Sequence, residues 1–158
     1  MTLSRIHVFA WISAALTAAF VFELSGAFRI GAAGVYVALL VILLAGFFSV
    51  RWFAGFLAFL LLVLSFLVAP FWVLETGAVA LLAIFLLIVA PFLTGNRFYD
   101  FLILVGGGAC AIAVFGGAVH GGVSLQTVVL TLIMNLAVGA GLFLIVERNS
   151  GKASTFAL

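Results

Sequence analysis

The run AVALLAIFLLIVA at positions 78–90 decides the fold class. No polar side chain interrupts it, and no apolar–polar alternation divides it into two faces. The hydrocarbon core of a bilayer gives backbone groups no water to bond, so only helices and closed barrels cross it. Barrel strands alternate lipid-facing apolar with lumen-facing polar residues. A continuously apolar run therefore reads as a membrane helix. The rest of the chain has the same character. Of its 158 residues, 68% are apolar and only 6% are charged, six Lys or Arg against four Asp or Glu. A soluble domain carries roughly 25% charged residues. That scarcity excludes a soluble globular enzyme, a disordered tail and a nucleic-acid binder.

Polar punctuation divides the chain into six apolar segments, each near the roughly 20 residues that a span needs. The first runs from about Ile6 to Phe22. It resembles a signal peptide in following Arg5, but it is longer than a usual h-region and Glu23 follows it with no small-x-small site, so it reads as the first span. The second covers about Ile30 to Phe48, and the third about Trp52 to Val68, stopping near Pro70. The fourth runs from Ala78 to about Phe92, with a kink or early end expected at Pro91. Thr94-Gly95-Asn96-Arg97 is the clearest turn. The fifth runs from about Phe101 to Val119, and His120-Gly121-Gly122 forms a short turn. The sixth runs from about Val123 to Val146, before a polar tail from Glu147 to Leu158. Six spans occupy roughly 120 residues, which leaves no room for a soluble domain. The expected architecture is all-α, a polytopic transmembrane helical bundle of about six spans forming a single membrane domain over residues 1–158.

Charge placement orients this bundle. With the N-terminus inside, Arg5, Arg51, Arg97, Arg148 and Lys152 fall on the cytoplasmic side and Arg29 alone falls outside. Cytoplasmic loops carry the excess of Lys and Arg, so both ends are expected in the cytoplasm of a plasma (inner) membrane. Dropping one span would scramble this partition. Trp11, Trp52 and Trp72 fall near span ends, as interfacial anchors do.

Three features rise above this background. Thr127, Thr131, Asn135 and Gly139 recur every four residues and share one face of the sixth helix. Asn135 lies near mid-membrane, where an unbonded amide is costly, so it is expected to bond across helices, as interhelical glue or as part of a pocket. The fifth segment is rich in glycine, and Ala109, Ala113 and Gly117 follow the small-xxx-small spacing that lets helices approach closely. All four acids, Glu23, Glu75, Asp100 and Glu147, sit at span edges. Ion-coupled transporters usually place ionisable residues within spans, so this placement argues against that class. Glu23 and Arg29 share the outer side and could form a surface pair.

No catalytic constellation emerges. His7 and His120 sit at opposite membrane faces, and with the lone Cys110 they make no metal cluster. No Ser/His/acid set gathers on one side. No cofactor is expected, and the expected partners are the lipid bilayer and other membrane or envelope proteins.

Two stretches carry a resemblance. TGNRFYDFLILVGG (94–107) is similar to the short basic turn leading into the fifth span of divergent members of the bacterial rod shape-determining MreD family. NLAVGAGLFLIVERN (135–149) resembles that family's last span, which often carries an Asn and ends in a charged tail. Length, span number and the short basic tail fit as well. The likeness touches the C-terminal 70 or so residues. Members often carry an Asp and a Ser-Gly step near the end of an early span, whereas LVLSFLVAPFWVLETG (62–77) has no Asp. The resemblance implies a non-enzymatic membrane subunit of the cell-elongation machinery that works with a scaffold protein. Related folds include substrate-capture subunits of vitamin transporters. The two readings predict different interiors. A transporter needs a polar, roomy cavity reached by Thr131 and Asn135. A scaffold needs a packed, satisfied polar stripe and an exposed small-residue or aromatic face.

Overall fold

The structure, a computed structural model, describes residues 12–21, 29–30, 33–48, 51–68, 73–119, 121–122 and 124–155, with backbone alone at 29–30, 51–52, 65, 68, 73–75 and 149–155. The described residues form six helices: α1 (Ile12–Val21), α2 (Val37–Phe48), α3 (Arg51–Val68), α4 (Val73–Val89), α5 (Arg97–Val119) and α6 (Leu125–Thr155). The fold is all-α apart from one small hairpin. By length and composition, α5 and the Leu125–Arg148 part of α6 are long and apolar enough to cross a membrane. Glu23, His7, His120, Trp11, Trp72 and Pro70 lie outside the described residues, as does the side chain of Arg29, so the Glu23–Arg29 pairing is not described.

Local chemistry explains the helix boundaries. At Pro91 the α4 helix tightens into a 3-10 turn over Ala90–Phe92, closed by the Leu93 N–H on the Ala90 carbonyl at 3.4 Å. Proline has no N–H for the helical ladder, so the early end expected there occurs. The Thr94–Arg97 turn forms as well, with Gly95 at φ +81°. The α5 helix begins at Arg97, four residues earlier than the hydropathy pattern places it. Its N-cap is Asn96, whose Oδ1 accepts the Phe98 N–H at 3.1 Å and the Tyr99 N–H at 3.4 Å. At its other end, the Gly122 N–H reaches back to the Gly117 carbonyl at 2.8 Å, and Gly121 takes φ +90°. This is a Schellman cap, which needs the left-handed residue that glycine supplies. Ser124 caps α6, its Oγ accepting the Thr127 N–H at 3.2 Å. The tail expected after Val146 continues as helix to Thr155.

The second segment departs from expectation. Its entry is not helical: Arg29–Ile30 pairs antiparallel with Ala33–Gly34, Arg29 opposite Gly34 and Ile30 opposite Ala33. Only the remainder, α2, is helical, and at 12 residues it is about 18 Å long. The physical reason lies in α6, whose Asn135 supplies the hydrogen bonds that hold the extended backbone there.

The core sits where α2 meets α3, α4, α5 and α6. Leu39, Leu40, Ile42 and Leu43 of α2 are fully buried. A cluster of rings locks one end of this packing. Phe143 of α6 contacts Phe48, Phe98 and Phe101 at centroid distances of 4.9, 5.4 and 5.1 Å, and Phe47 meets Phe101 edge-on at 5.7 Å. Such offset and edge contacts add to area burial.

Candidate functional site

The polar face of α6 meets the head of α2. Asn135 is 0% exposed. Its Nδ2 donates to the Gly34 carbonyl at 2.9 Å and to the Thr131 carbonyl at 2.8 Å. Its Oδ1 accepts the Tyr36 N–H at 2.9 Å. A primary amide has two N–H donors, and both are used. Tyr36 is the N-cap of α2, since its carbonyl accepts the Leu40 N–H at 3.1 Å. In a capping box the N3 side chain reaches back to the N-cap N–H. Here a residue of another helix does that work. Asn135 also satisfies the carbonyl of Gly34 at the end of the hairpin.

The neighbouring turns of α6 continue this seam. Gly139 admits α2 and α5 closely: a Cβ there would lie 3.2 Å from Leu40 and 3.4 Å from Phe101 and Val105. Thr131 is 1% exposed, and its Oγ1 has no hydrogen-bond partner among the described residues. Thr127 is half-buried at the end of the row. Of the four residues predicted to share a face, Thr131, Asn135 and Gly139 are thus buried.

Depth gives the seam its meaning. Asn135 lies near the middle of the Leu125–Arg148 stretch of α6. Gly108 is the central residue of α5, and a Cβ on it would stand 2.9 Å from Leu39 and 3.0 Å from Leu86. Two independent markers therefore put the start of α2 level with the midpoints of the two longest apolar helices.

On α5, Ala109 and Ala113 are buried and Gly117 is half-buried. The close approaches, however, occur at neighbouring glycines. Gly106 faces Leu132 and Leu136 of α6, and Gly108 faces Leu39 and Leu86. Gly107, Ala111, Ala137 and Gly141 are exposed small residues on the outer sides of α5 and α6.

A second polar cluster was not expected from the sequence. Asp100 is buried just inside α5. Its Oδ1 accepts the Thr94 N–H at 2.9 Å and the Thr94 hydroxyl at 2.6 Å, while Oδ2 accepts the Gly95 N–H at 3.1 Å. An acid in the first helical turn also complements the helix dipole. The signal was the Thr94-x-Asn96-x-x-x-Asp100 spacing, in which a cap and a buried acceptor tie down one turn. Among the described residues no group of His, Cys, Asp or Glu could hold a metal.

No protein-family model matches this chain, and comparison with curated proteins and with solved structures finds no match either.

Proposed function

We propose that the chain is a non-catalytic, multi-pass subunit of the plasma (inner) membrane that assembles with other envelope proteins in a cell-shape or elongation complex. The observation that carries this reading is the saturation of Asn135. The most polar side chain of the α6 seam is fully buried and spends both donors on main chain. It holds helices together and leaves no donor for a ligand. The exposed small residues of α5 and α6 supply the outward face that a scaffold needs. The resemblance of residues 94–107 and 135–149 to the MreD family supports the envelope assignment. In this reading the chain crosses the membrane six times with both ends in the cytoplasm. The second crossing is composite: the hairpin occupies the outer half and α2 the inner half. Extended backbone at that depth is tolerated where protein surrounds it, and Ala33, Gly34 and Val35 are buried. Depleting the protein and imaging cell width and length tests the proposal. Widened or rounded cells are expected; unchanged shape with unchanged wall synthesis refutes it.

The alternative is a small transporter or substrate-capture subunit. The half-length α2 starting at mid-depth favours it, because interrupted helices often frame transport sites. So does the unpartnered Thr131 hydroxyl. In that case Asn135→Leu should abolish uptake or ligand binding while expression persists. Wild-type behaviour of that variant, with no ligand bound by purified protein, removes the alternative.

A further inference from the structure

Away from the polar seam, α3 and α4 frame a cavity of about 370 Å³ lined by Gly55, Ile84, Leu87, Ile88, Pro91 and Phe92. Its lining side chains are all apolar. A Cβ on Gly55 would meet nothing within 4 Å, so the missing side chain at this position opens the wall. A helix with its side chains is about 10–12 Å across and cannot enter a space of this size. A single acyl chain can.

The chain that leaves the cavity changes in chemistry. Past Pro91 and Phe92 the chain turns through Thr94–Asn96 into Arg97, which is exposed and has no ion-pair partner among the described residues. Phe92 is 83% exposed and Tyr99 61% exposed around the same turn, as aromatic residues at a membrane–water boundary are. A guanidinium presents a planar fork that fits phosphate oxygens. Arg97 follows the last lining residue, Phe92, by five positions through one tight turn, so an apolar groove is followed closely in the chain by an exposed cation, the order of chemistry a phospholipid presents: hydrocarbon, then phosphate. The side carrying Arg97 also carries most of the chain's positive charge. Anionic lipids are concentrated in the cytoplasmic leaflet.

We propose that the α3–α4 groove holds one acyl chain of an anionic phospholipid of the cytoplasmic leaflet, with Arg97 at its phosphate. This rests on the membrane reading. The alternative occupant, a side chain from a partner helix, would be indifferent to the lipid headgroup.

The test uses the full chain purified in mild detergent, delipidated, and returned to nanodiscs of phosphatidylglycerol or phosphatidylcholine. Retained lipid is then counted by native mass spectrometry. Wild type should retain one phosphatidylglycerol in preference to phosphatidylcholine. Gly55→Leu should reduce retention about tenfold with an unchanged unfolding midpoint, since the groove has room for the new side chain. Arg97→Gln should remove the headgroup preference and leave chain binding. The proposal is overturned if wild type retains no lipid, if it retains both lipids equally, or if Gly55→Leu holds lipid as wild type does. Alkaline carbonate extraction separates the two failures. Release of the chain from membranes would sink the membrane reading itself, whereas a carbonate-resistant chain that retains no lipid sinks the groove alone.

Discussion

The Asn135 side chain of α6 accepts the Tyr36 main-chain N–H at 2.9 Å, and so one residue fixes both where α2 begins and how it sits against α6. The same amide binds the Gly34 carbonyl two residues earlier. Three links of the structure thus converge on one side chain: the extended strand, the helix start and the interhelical seam.

Asn135→Leu removes the partners of the part-buried Tyr36 N–H and the buried Gly34 carbonyl. Each group left unpaired costs about 1–3 kcal/mol, so a loss of roughly 2–6 kcal/mol is expected. Unfolding in detergent, followed by circular dichroism, measures it. A midpoint equal to wild type would show that the hairpin is held by something else.

Asp100→Ala leaves the Thr94 and Gly95 donors without their acceptor. Hydrogen bonds to a charged group contribute about 1.5–3 kcal/mol each, but this turn is near solvent and water replaces part of the loss. The expected net destabilisation is about 2 kcal/mol, with faster proteolysis between α4 and α5. Unaltered cleavage and stability would mean that the turn does not depend on the carboxylate.

Gly108 and Gly107 are adjacent but not equivalent. Gly108→Leu drives a side chain into Leu39 and Leu86 and should cost about 1–3 kcal/mol or more. Gly107 faces open space, and Gly107→Leu should change bundle stability by less than about 0.5 kcal/mol. If Gly107→Leu keeps stability but loses complex assembly, the outer face of α5 is the partner surface. Equal stability losses in the two variants would contradict the packing described.

Topology is open to cysteine labelling in a Cys110→Ser background. Gly122→Cys should react with an impermeant maleimide on intact cells, and Asn96→Cys only after permeabilisation. The reverse pattern would invert the bundle, and labelling of both from one side would remove a crossing between them.

Much of this was legible in the sequence, and the misses share a cause. Pro91, the Thr94–Arg97 turn and the glycine turn before α6 act through local chemistry, and they fall where that chemistry places them. The stripe of Thr131, Asn135 and Gly139 was legible because helical periodicity alone puts it on one face. The hairpin at Arg29–Gly34 was not, because RIGAAGVY (29–36) is apolar enough to extend a span. Its extended backbone depends on Asn135, about a hundred positions away, and no local signal reports such a partner. The early start of α5 was hidden differently: Asp100 reads only as a span-edge acid until its bonds to Thr94 and Gly95 are seen.

On the proposed reading, the polar seam of α6 holds the bundle together and does not bind a ligand. Thr131→Val separates the two roles, because Thr131 Oγ1 is buried and has no hydrogen-bond partner among the described residues. If the seam is structural, removing an unsatisfied hydroxyl should leave the unfolding midpoint unchanged or raise stability by up to about 1 kcal/mol, with cell shape fully complemented. Normal folding with lost function would contradict it, since that hydroxyl would then be serving a bound molecule.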